Sequence, residues 1–104
     1  WQYNITHSNQ TEFLMYDVNG KYEAHTDTFH QRSNEVRKIT VLAMLNDDFE
    51  GGKFFIQTGH NKFYPKQKKG TVIIFPSYML HGVEPVTKGV RYSVVTWMVG
   101  PYFK

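Results

Sequence analysis

The sequence contains no cysteine and no long apolar run. Without cysteine there is no disulfide framework and no thiolate metal site, so a bound metal would need nitrogen and oxygen ligands. No apolar run approaches the roughly 20 residues of a membrane helix, and the first residues lack the basic-then-apolar pattern of a secretion signal. We therefore expect a cytoplasmic protein with no membrane partner.

A strong excess of one charge is also missing, since the net charge is only +3. The one dense basic cluster consists of Lys62, Lys66, Lys68 and Lys69. No interleaved arginines and aromatics accompany it, as they would on a nucleic-acid-binding surface. We interpret these lysines as a solvated hairpin rather than a site for an anionic partner, and we do not expect nucleic acid to bind.

The 104 residues, 40% of them hydrophobic, have the size and balance of one compact domain. The chain opens on Trp1 rather than Met, within a stretch that resembles the middle of a strand. We expect residues 1–104 to form a single domain that belongs to a longer chain.

Short apolar runs with turn signals about every ten residues predict an all-β sandwich or jelly roll with a ligand-binding mouth between its sheets. Helix remains an alternative only for residues 37–46. Asn19-Gly20 predicts a tight hairpin turn, and the apolar run at 71–75, which Pro76 ends, is the clearest signal of a buried strand. The expected strands, about eight in number, are 12–17, one from Lys21, 37–46, 53–58, a short one near 63–64, 71–75, 81–86 and 90–99.

Two histidines and an aspartate carry the clearest chemical pattern. His25 and Asp27 are two residues apart, so on a strand their side chains point to one face. A second histidine from a distant strand, His81, would complete two nitrogens and one oxygen on one side of a metal. That set suits non-haem Fe(II) with coordination positions left open, and zinc is the alternative metal.

An arginine within the last apolar strand extends this pattern. Arg91 begins the segment Arg-Tyr-Ser-Val-Val-Thr-Trp, where a buried guanidinium is costly unless it meets an anion. Its planar fork suits a carboxylate, and Ser93 shares the same face of the strand, so its hydroxyl could add a hydrogen bond. The residues therefore predict a carboxylate pocket beside a metal.

Together these motifs resemble the Fe(II)- and 2-oxoglutarate-dependent dioxygenase superfamily, most closely its prolyl-4-hydroxylase-like branch with the PKHD-type relatives. The similarity covers nearly the whole chain, with the motifs in the family's order. They are Met15-Tyr16-Asp17, Gly20-Lys21-Tyr22, His25-Thr26-Asp27, Leu45-Asn46, Glu50-Gly51-Gly52, Lys69-Gly70-Thr71, Ile74-Phe75-Pro76-Ser77, His81, Val83, Pro85-Val86, Gly89, Arg91-Tyr92-Ser93 and Trp97.

The resemblance implies a double-stranded β-helix, a jelly roll, without the helices and strands that the family places upstream. It implies iron ligation by His25, Asp27 and His81, and a salt bridge from Arg91 to the distal carboxylate of 2-oxoglutarate, with Tyr16 lining the same pocket. The implied reaction hydroxylates a C–H bond with dioxygen and releases succinate and carbon dioxide, with ascorbate as an optional reductant. The implied substrate is a prolyl or other peptidyl residue, with a small molecule as the alternative.

One position departs from the family pattern. A tyrosine that helps to hold the co-substrate in prolyl hydroxylases is replaced here by Met44, so Tyr16 or Ser93 is the candidate substitute. We expect Leu42, Phe54, Val83 and Trp97 to supply an apolar lining, and we assign no role to His7, His30 and His60. Two other functions stay open, a cupin-like metal-binding jelly roll with another substrate and a binding module without catalysis.

Overall fold

The computed structural model describes residues 3–27, 30–32 and 35–101. All regular secondary structure in these ranges is β-strand, and several strands are only two or three residues long, which is why there are more of them than expected. Within the same ranges no helix offers a candidate membrane span. The strands are β1 (His7–Tyr16), β2 (Tyr22–His25), β3 (His30–Arg32), β4 (Glu35–Met44), β5 (Glu50–Gly51), β6 (Phe54–Thr58), β7 (Asn61–Phe63), β8 (Val72–Pro76), β9 (Leu80–Val83), β10 (Val86–Lys88) and β11 (Arg91–Pro101).

The larger sheet is built around β4 and β11, which pair antiparallel along most of their length. Strand β1 pairs with the other side of β11, while β3 and β8 share the free side of β4. Along β11 buried and half-buried residues alternate almost without interruption. This alternation of period two places one face of the sheet in the core.

The smaller sheet has the order β2-β9-β6-β7, and β5 pairs separately with β10. The apolar core lies between the two main sheets, because its residues come from both of them. Burying each of these side chains contributes roughly 1.5–3 kcal/mol. The core residues are Leu42, Phe54, Ile73, Phe75, Val83, Val95 and Trp97.

The predicted hairpin at Asn19-Gly20 is wrong, although a turn is present there. The amide of Gly20 donates to the carbonyl of Asp17, and Asn19 has a φ of 73°. The strands on either side of this turn do not pair with each other, since β1 pairs with β11 and β2 pairs with β9. The turn therefore carries the chain from the larger sheet to the smaller one, and each flanking strand pairs with a strand far away in sequence.

The strand with the clearest signal of burial, β8, is buried on one face only. Ile73 and Phe75 lie in the core, whereas Val72 and Ile74 are 55% and 56% exposed. Strand β8 lies at an edge of the larger sheet, beside β4, so only its inward-facing residues can be covered by the second sheet. Residues 37–46 are extended rather than helical as far as Met44, which excludes the helical alternative.

Candidate metal and carboxylate site

Two histidines and one aspartate converge between the sheets. His25 ends β2, and His81 is its register partner on β9. Asp27 follows β2 and is buried. Nε2 of His25 lies 3.2 Å from Oδ1 of Asp27, and Nε2 of His81 lies 3.2 Å from Oδ2. One ligand atom from each residue lies within 4.8 Å of the others, so the three could hold one metal ion.

Backbone carbonyls determine which ring nitrogen of each histidine faces Asp27. Nδ1 of His25 lies 2.8 Å from the carbonyl oxygen of Glu23, and Nδ1 of His81 lies 2.8 Å from that of Met79. A carbonyl oxygen only accepts, so Nδ1 must carry the hydrogen in both rings. In the neutral imidazoles Nε2 then keeps its lone pair, which is the tautomer that metal ligation through Nε2 requires.

Aromatic rings hold both imidazoles in place. Tyr22 stacks on His25 with ring centroids 3.9 Å apart, and the two histidine rings are 4.3 Å apart. Phe75 contacts His81 edge-on at 4.7 Å. The ligand orientation is therefore set by packing before any metal binds.

The aspartate is held in its charged form. Burial on its own raises the pKa of Asp27, but its close contacts with His25 and His81 and the hydrogen bond from Trp97 outweigh burial and hold the pKa well below its usual range. Burial lowers the pKa of His25, whereas its bonds to Asp27 and to the Glu23 carbonyl raise it, with a net rise. An ionised carboxylate and two imidazoles match the two-nitrogen, one-oxygen set that suits non-haem Fe(II), so the donor chemistry fits this metal.

A buried arginine lies in the same cavity. Arg91 is 1% exposed; its Nη1 donates to Oγ of Ser93 at 3.1 Å and its Nη2 to Sδ of Met44 at 3.5 Å. Its Nε has no hydrogen-bond partner, and no carboxylate among the described residues pairs with the guanidinium. Burial lowers the pKa of Arg91 and Tyr16 partly restores it, yet arginine keeps its charge in proteins. Among the residues that the structure describes, no carboxylate therefore pairs with the charge of Arg91.

Tyr16 lies beside this guanidinium, with Cζ of Arg91 5.7 Å from the centre of its ring. Burial raises the pKa of the Tyr16 phenol more than the charge of Arg91 lowers it. The phenol is therefore protonated at neutral pH and can act as a hydrogen-bond donor.

The ligand residues and Arg91 line one cavity of about 440 Å³, a volume within the usual range of small-molecule sites. Leu42, Phe54, Val83 and Trp97 line it as well, in agreement with the expected apolar lining.

Tyr16 lies on the wall of this cavity, but Ser93 and Met44 do not. Ser93 is fully buried behind Arg91 and accepts its Nη1 hydrogen bond. Its position suits holding the arginine, and a hydrogen bond from its hydroxyl to a bound carboxylate stays a prediction. The side chain of His30 lies outside the part of the chain that the structure describes.

Among the residues that sequence reasoning missed on the cavity wall are Arg37 and Thr40. Thr40 is two residues before Leu42, so both side chains point to the same face of β4. A polar residue on the predicted inward face is the signal that could have identified it. Regular alternation along β4 would point Arg37 to the face opposite that of Thr40 and Leu42. It reaches the cavity because the pairing register with β11 shifts between Met98 and Val99. A β-bulge of this kind leaves no clear mark in the sequence.

Comparison with known proteins bears directly on this site. Residues 11–99 match the sequence model of the 2OG-Fe(II) oxygenase superfamily. The chain belongs to this family. Among curated relatives, a PKHD-type hydroxylase of Thermosynechococcus vestitus is 37% identical over 91 residues, which cover 83% of this chain and 41% of that protein. The chain thus spans about two fifths of the length of the curated relatives it matches.

Solved structures of this superfamily share the jelly-roll fold of the chain. A prolyl hydroxylase from Trichoplax adhaerens, in complex with a peptide fragment of the hypoxia inducible factor oxygen degradation domain, superposes with a TM-score of 0.76 at 23% identity. The match covers 92% of this chain and 46% of that one. A Pseudomonas putida prolyl-4-hydroxylase gives a TM-score of 0.70 at 22% identity, over 85% of this chain and 50% of that one.

Proposed function

We propose that this 2OG-Fe(II) oxygenase chain is the catalytic core of a hydroxylase that uses 2-oxoglutarate and dioxygen to oxidise a C–H bond of a prolyl or other peptidyl residue. The observation that carries the proposal is the buried guanidinium of Arg91, which has no carboxylate partner within residues 3–27, 30–32 and 35–101 and lines the same cavity as the three metal-ligand candidates. A dicarboxylate that reaches both the metal and Arg91 would satisfy this charge.

His25, Asp27 and His81 would hold Fe(II) through the two Nε2 atoms and one carboxylate oxygen. Bound iron and 2-oxoglutarate would supply the activation of dioxygen, with succinate and carbon dioxide as co-products. The backbone carbonyls of Glu23 and Met79 keep each Nε2 free of its proton and aimed at the metal position.

In the same cavity, Arg91 would bind the distal carboxylate through its Nε–H and the outer hydrogens of its fork, and Ser93 would hold the guanidinium in place. Tyr16, protonated and beside Arg91, can donate to the same carboxylate. Leu42, Phe54 and Val83 would keep bulk water away from the reacting centre.

The peptidyl substrate is supported by the named relatives, which are prolyl hydroxylases or PKHD-type hydroxylases. Polar side chains also line the cavity together with the metal ligands, among them Gln10, Glu12 and Arg37. Such side chains can pair with the amide groups of a peptide backbone.

The test is succinate formation by the purified chain with Fe(II), 2-oxoglutarate and a library of proline-containing peptides. We expect peptide-stimulated succinate release and a mass gain of one oxygen on a peptide. Asp27→Ala and Arg91→Met should abolish both signals, while His60→Ala, at an exposed position outside the cavity, should preserve them. Tight zinc binding with no 2-oxoglutarate binding would overturn the proposal and favour a cupin-like metal protein.

A further inference from the structure

The two oxygens of the Asp27 carboxylate have different surroundings. Oδ2 lies 2.8 Å from Oγ1 of Thr40 and 3.1 Å from Nε1 of Trp97, in addition to its contact with His81. Oδ1 has a contact with His25 alone among the described residues. A carboxylate oxygen has about two lone-pair sites, so the hydroxyl and the indole N–H occupy those of Oδ2. Oδ1 keeps its lone pairs for another partner.

The hydrogen bonds that link Ser77, Thr40 and Asp27 form a relay, in which the donor and the acceptor of each bond are determined. The ionised carboxylate can only accept, so the Thr40 hydroxyl donates to it. That hydroxyl also lies 2.8 Å from Oγ of Ser77, and since its single hydrogen is already used, Ser77 must donate to Thr40. The Ser77 carbonyl in turn accepts the backbone N–H of Asp27 at 2.8 Å. Ser77 therefore holds both the main chain and the side chain of Asp27.

The second donor to Oδ2 is also held in place. The guanidinium of Arg37 lies over the indole of Trp97, with Cζ 3.6 Å from the ring centroid. Trp97 is on β11 and Thr40 on β4, so both donors come from the larger sheet, whereas the two histidines come from the smaller one.

Such a relay is not required to fill the core. Thr40 and Ser77 are 1% and 0% exposed, and a pair of buried hydroxyls can be replaced by apolar groups of similar shape with little loss of stability. Their arrangement around one oxygen of a metal-ligand candidate needs another explanation.

We propose that Thr40, Ser77 and Trp97 are positioning residues that reserve Oδ1 of Asp27 for the metal and keep Oδ2 away from it. Asp27 then contributes one oxygen rather than two, which leaves more of the coordination sphere open to co-substrate and dioxygen. This inference rests on the proposed function, because it assumes that the three residues hold a divalent metal.

The test uses two measurements that require no turnover. Calorimetry gives the affinity of the chain for Mn(II), and the visible spectrum of the Co(II)-loaded chain reports the coordination number of the metal. Thr40→Val replaces the hydroxyl with a methyl group. We expect it to weaken Mn(II) binding by about 10- to 100-fold and to change the Co(II) spectrum, because the freed Oδ2 can then approach the metal. Thr40→Ser restores the hydroxyl and should return affinity and spectrum to within about threefold of wild type.

Two further variants separate positioning from a general loss of structure. Thr96→Val makes the same chemical change on the outer side of β11, where Thr96 donates to the carbonyl of Gln10, and it should leave Mn(II) affinity unchanged. Ser77→Ala breaks the relay one bond further from Asp27 and should weaken Mn(II) binding at least threefold, which provides the test if Thr40→Val does not fold.

Wild-type affinity in both Thr40→Val and Ser77→Ala would overturn the inference while leaving the proposed function intact. Equal weakening in Thr40→Ser and Thr40→Val would also overturn it, since the hydroxyl would not then be the cause. A wild-type chain that binds neither Mn(II) nor Co(II) would overturn the proposed function and this inference together.

Discussion

Replacing Arg91 with methionine should make the ligand-free chain more stable while removing its affinity for 2-oxoglutarate. The guanidinium is 1% exposed and its described contacts are one hydroxyl and one thioether, with no carboxylate. Replacing buried ions by apolar residues of similar size is often neutral or stabilising by about 1–4 kcal/mol. Leaving Ser93 without its partner costs about 1 kcal/mol. We therefore expect the free energy of unfolding to rise by up to about 3 kcal/mol.

The effect on the ligand has the opposite sign. Two hydrogen bonds between a guanidinium and a carboxylate contribute roughly 1.5–3 kcal/mol each, so Arg91→Met should lose at least about 3 kcal/mol of binding free energy. That is more than about 100-fold in Kd. The assay is urea unfolding with Mn(II), with and without 2-oxoglutarate at about 100 times the wild-type Kd. Wild type should gain about 2.7 kcal/mol from the ligand, and the variant almost none.

The matched control is Lys88→Met, which removes a cation from an exposed position on β10. It should change neither stability nor ligand stabilisation appreciably. The reasoning is refuted if Arg91→Met retains the full stabilisation by 2-oxoglutarate. It is also refuted if the ligand-free variant is less stable than wild type by more than about 1 kcal/mol, because Arg91 would then be a structural cation.

Three further predictions concern the scaffold. Gly82→Ala would place a methyl group 2.6 Å from the backbone carbonyl oxygen of Tyr22, so β2 must move away from β9. Calorimetry should then show weaker Mn(II) binding and a lower melting temperature. Gly52→Ala should cost more than about 1 kcal/mol in urea unfolding, because φ is +60° there and the new Cβ would lie 3.2 Å from Cδ of Arg91; a melting temperature equal to that of wild type would contradict this. Ile74→Lys, on the exposed face of β8, should change the free energy of unfolding by less than about 0.5 kcal/mol, whereas Phe75→Ala should lower it by about 3–5 kcal/mol. Similar losses in the two variants would show that both faces of β8 are covered.

Short apolar runs bounded by turn residues predict β4 and β11 as strands, with helix open as an alternative for residues 37–46, and the spacing of His25 and Asp27 predicts that their side chains point to one face. These are local properties, since neighbouring residues on a strand keep their relative directions whatever the strand pairs with. The convergence of His81 on them depends on β2 pairing with β9, a long-range contact that the resemblance to a family supplied and residue spacing alone did not.

Pairing partners and bulges account for what sequence reasoning missed. The turn at Asn19-Gly20 has the chemistry of a hairpin, but turn chemistry does not determine whether the flanking strands join the same sheet. The β-bulge at Lys38 shifts the inward–outward alternation of β4 by one residue. Arg37 therefore faces the cavity, although the alternation of the residues after the bulge predicts that it faces outward. The apolar run of β8 predicts a buried strand but not that only one of its faces is covered, because hydrophobicity does not distinguish an edge strand from a central one.

The pairing of β1 with β11 also has a kinetic consequence. His7 is opposite Val99 and Tyr16 is opposite Arg91, so the part of the cavity wall formed by Tyr16 and Arg91 is complete only when segments some 75 residues apart in sequence meet, the separation of Tyr16 and Arg91. Contacts of such long sequence separation form slowly, because the entropy of closing the loop is lost before the contact is gained. A nascent chain that has not yet exposed Arg91 also lacks Trp97, whose indole donates to Asp27. The metal-ligand candidates and Arg91 therefore reach their final arrangement together, when β11 joins the larger sheet.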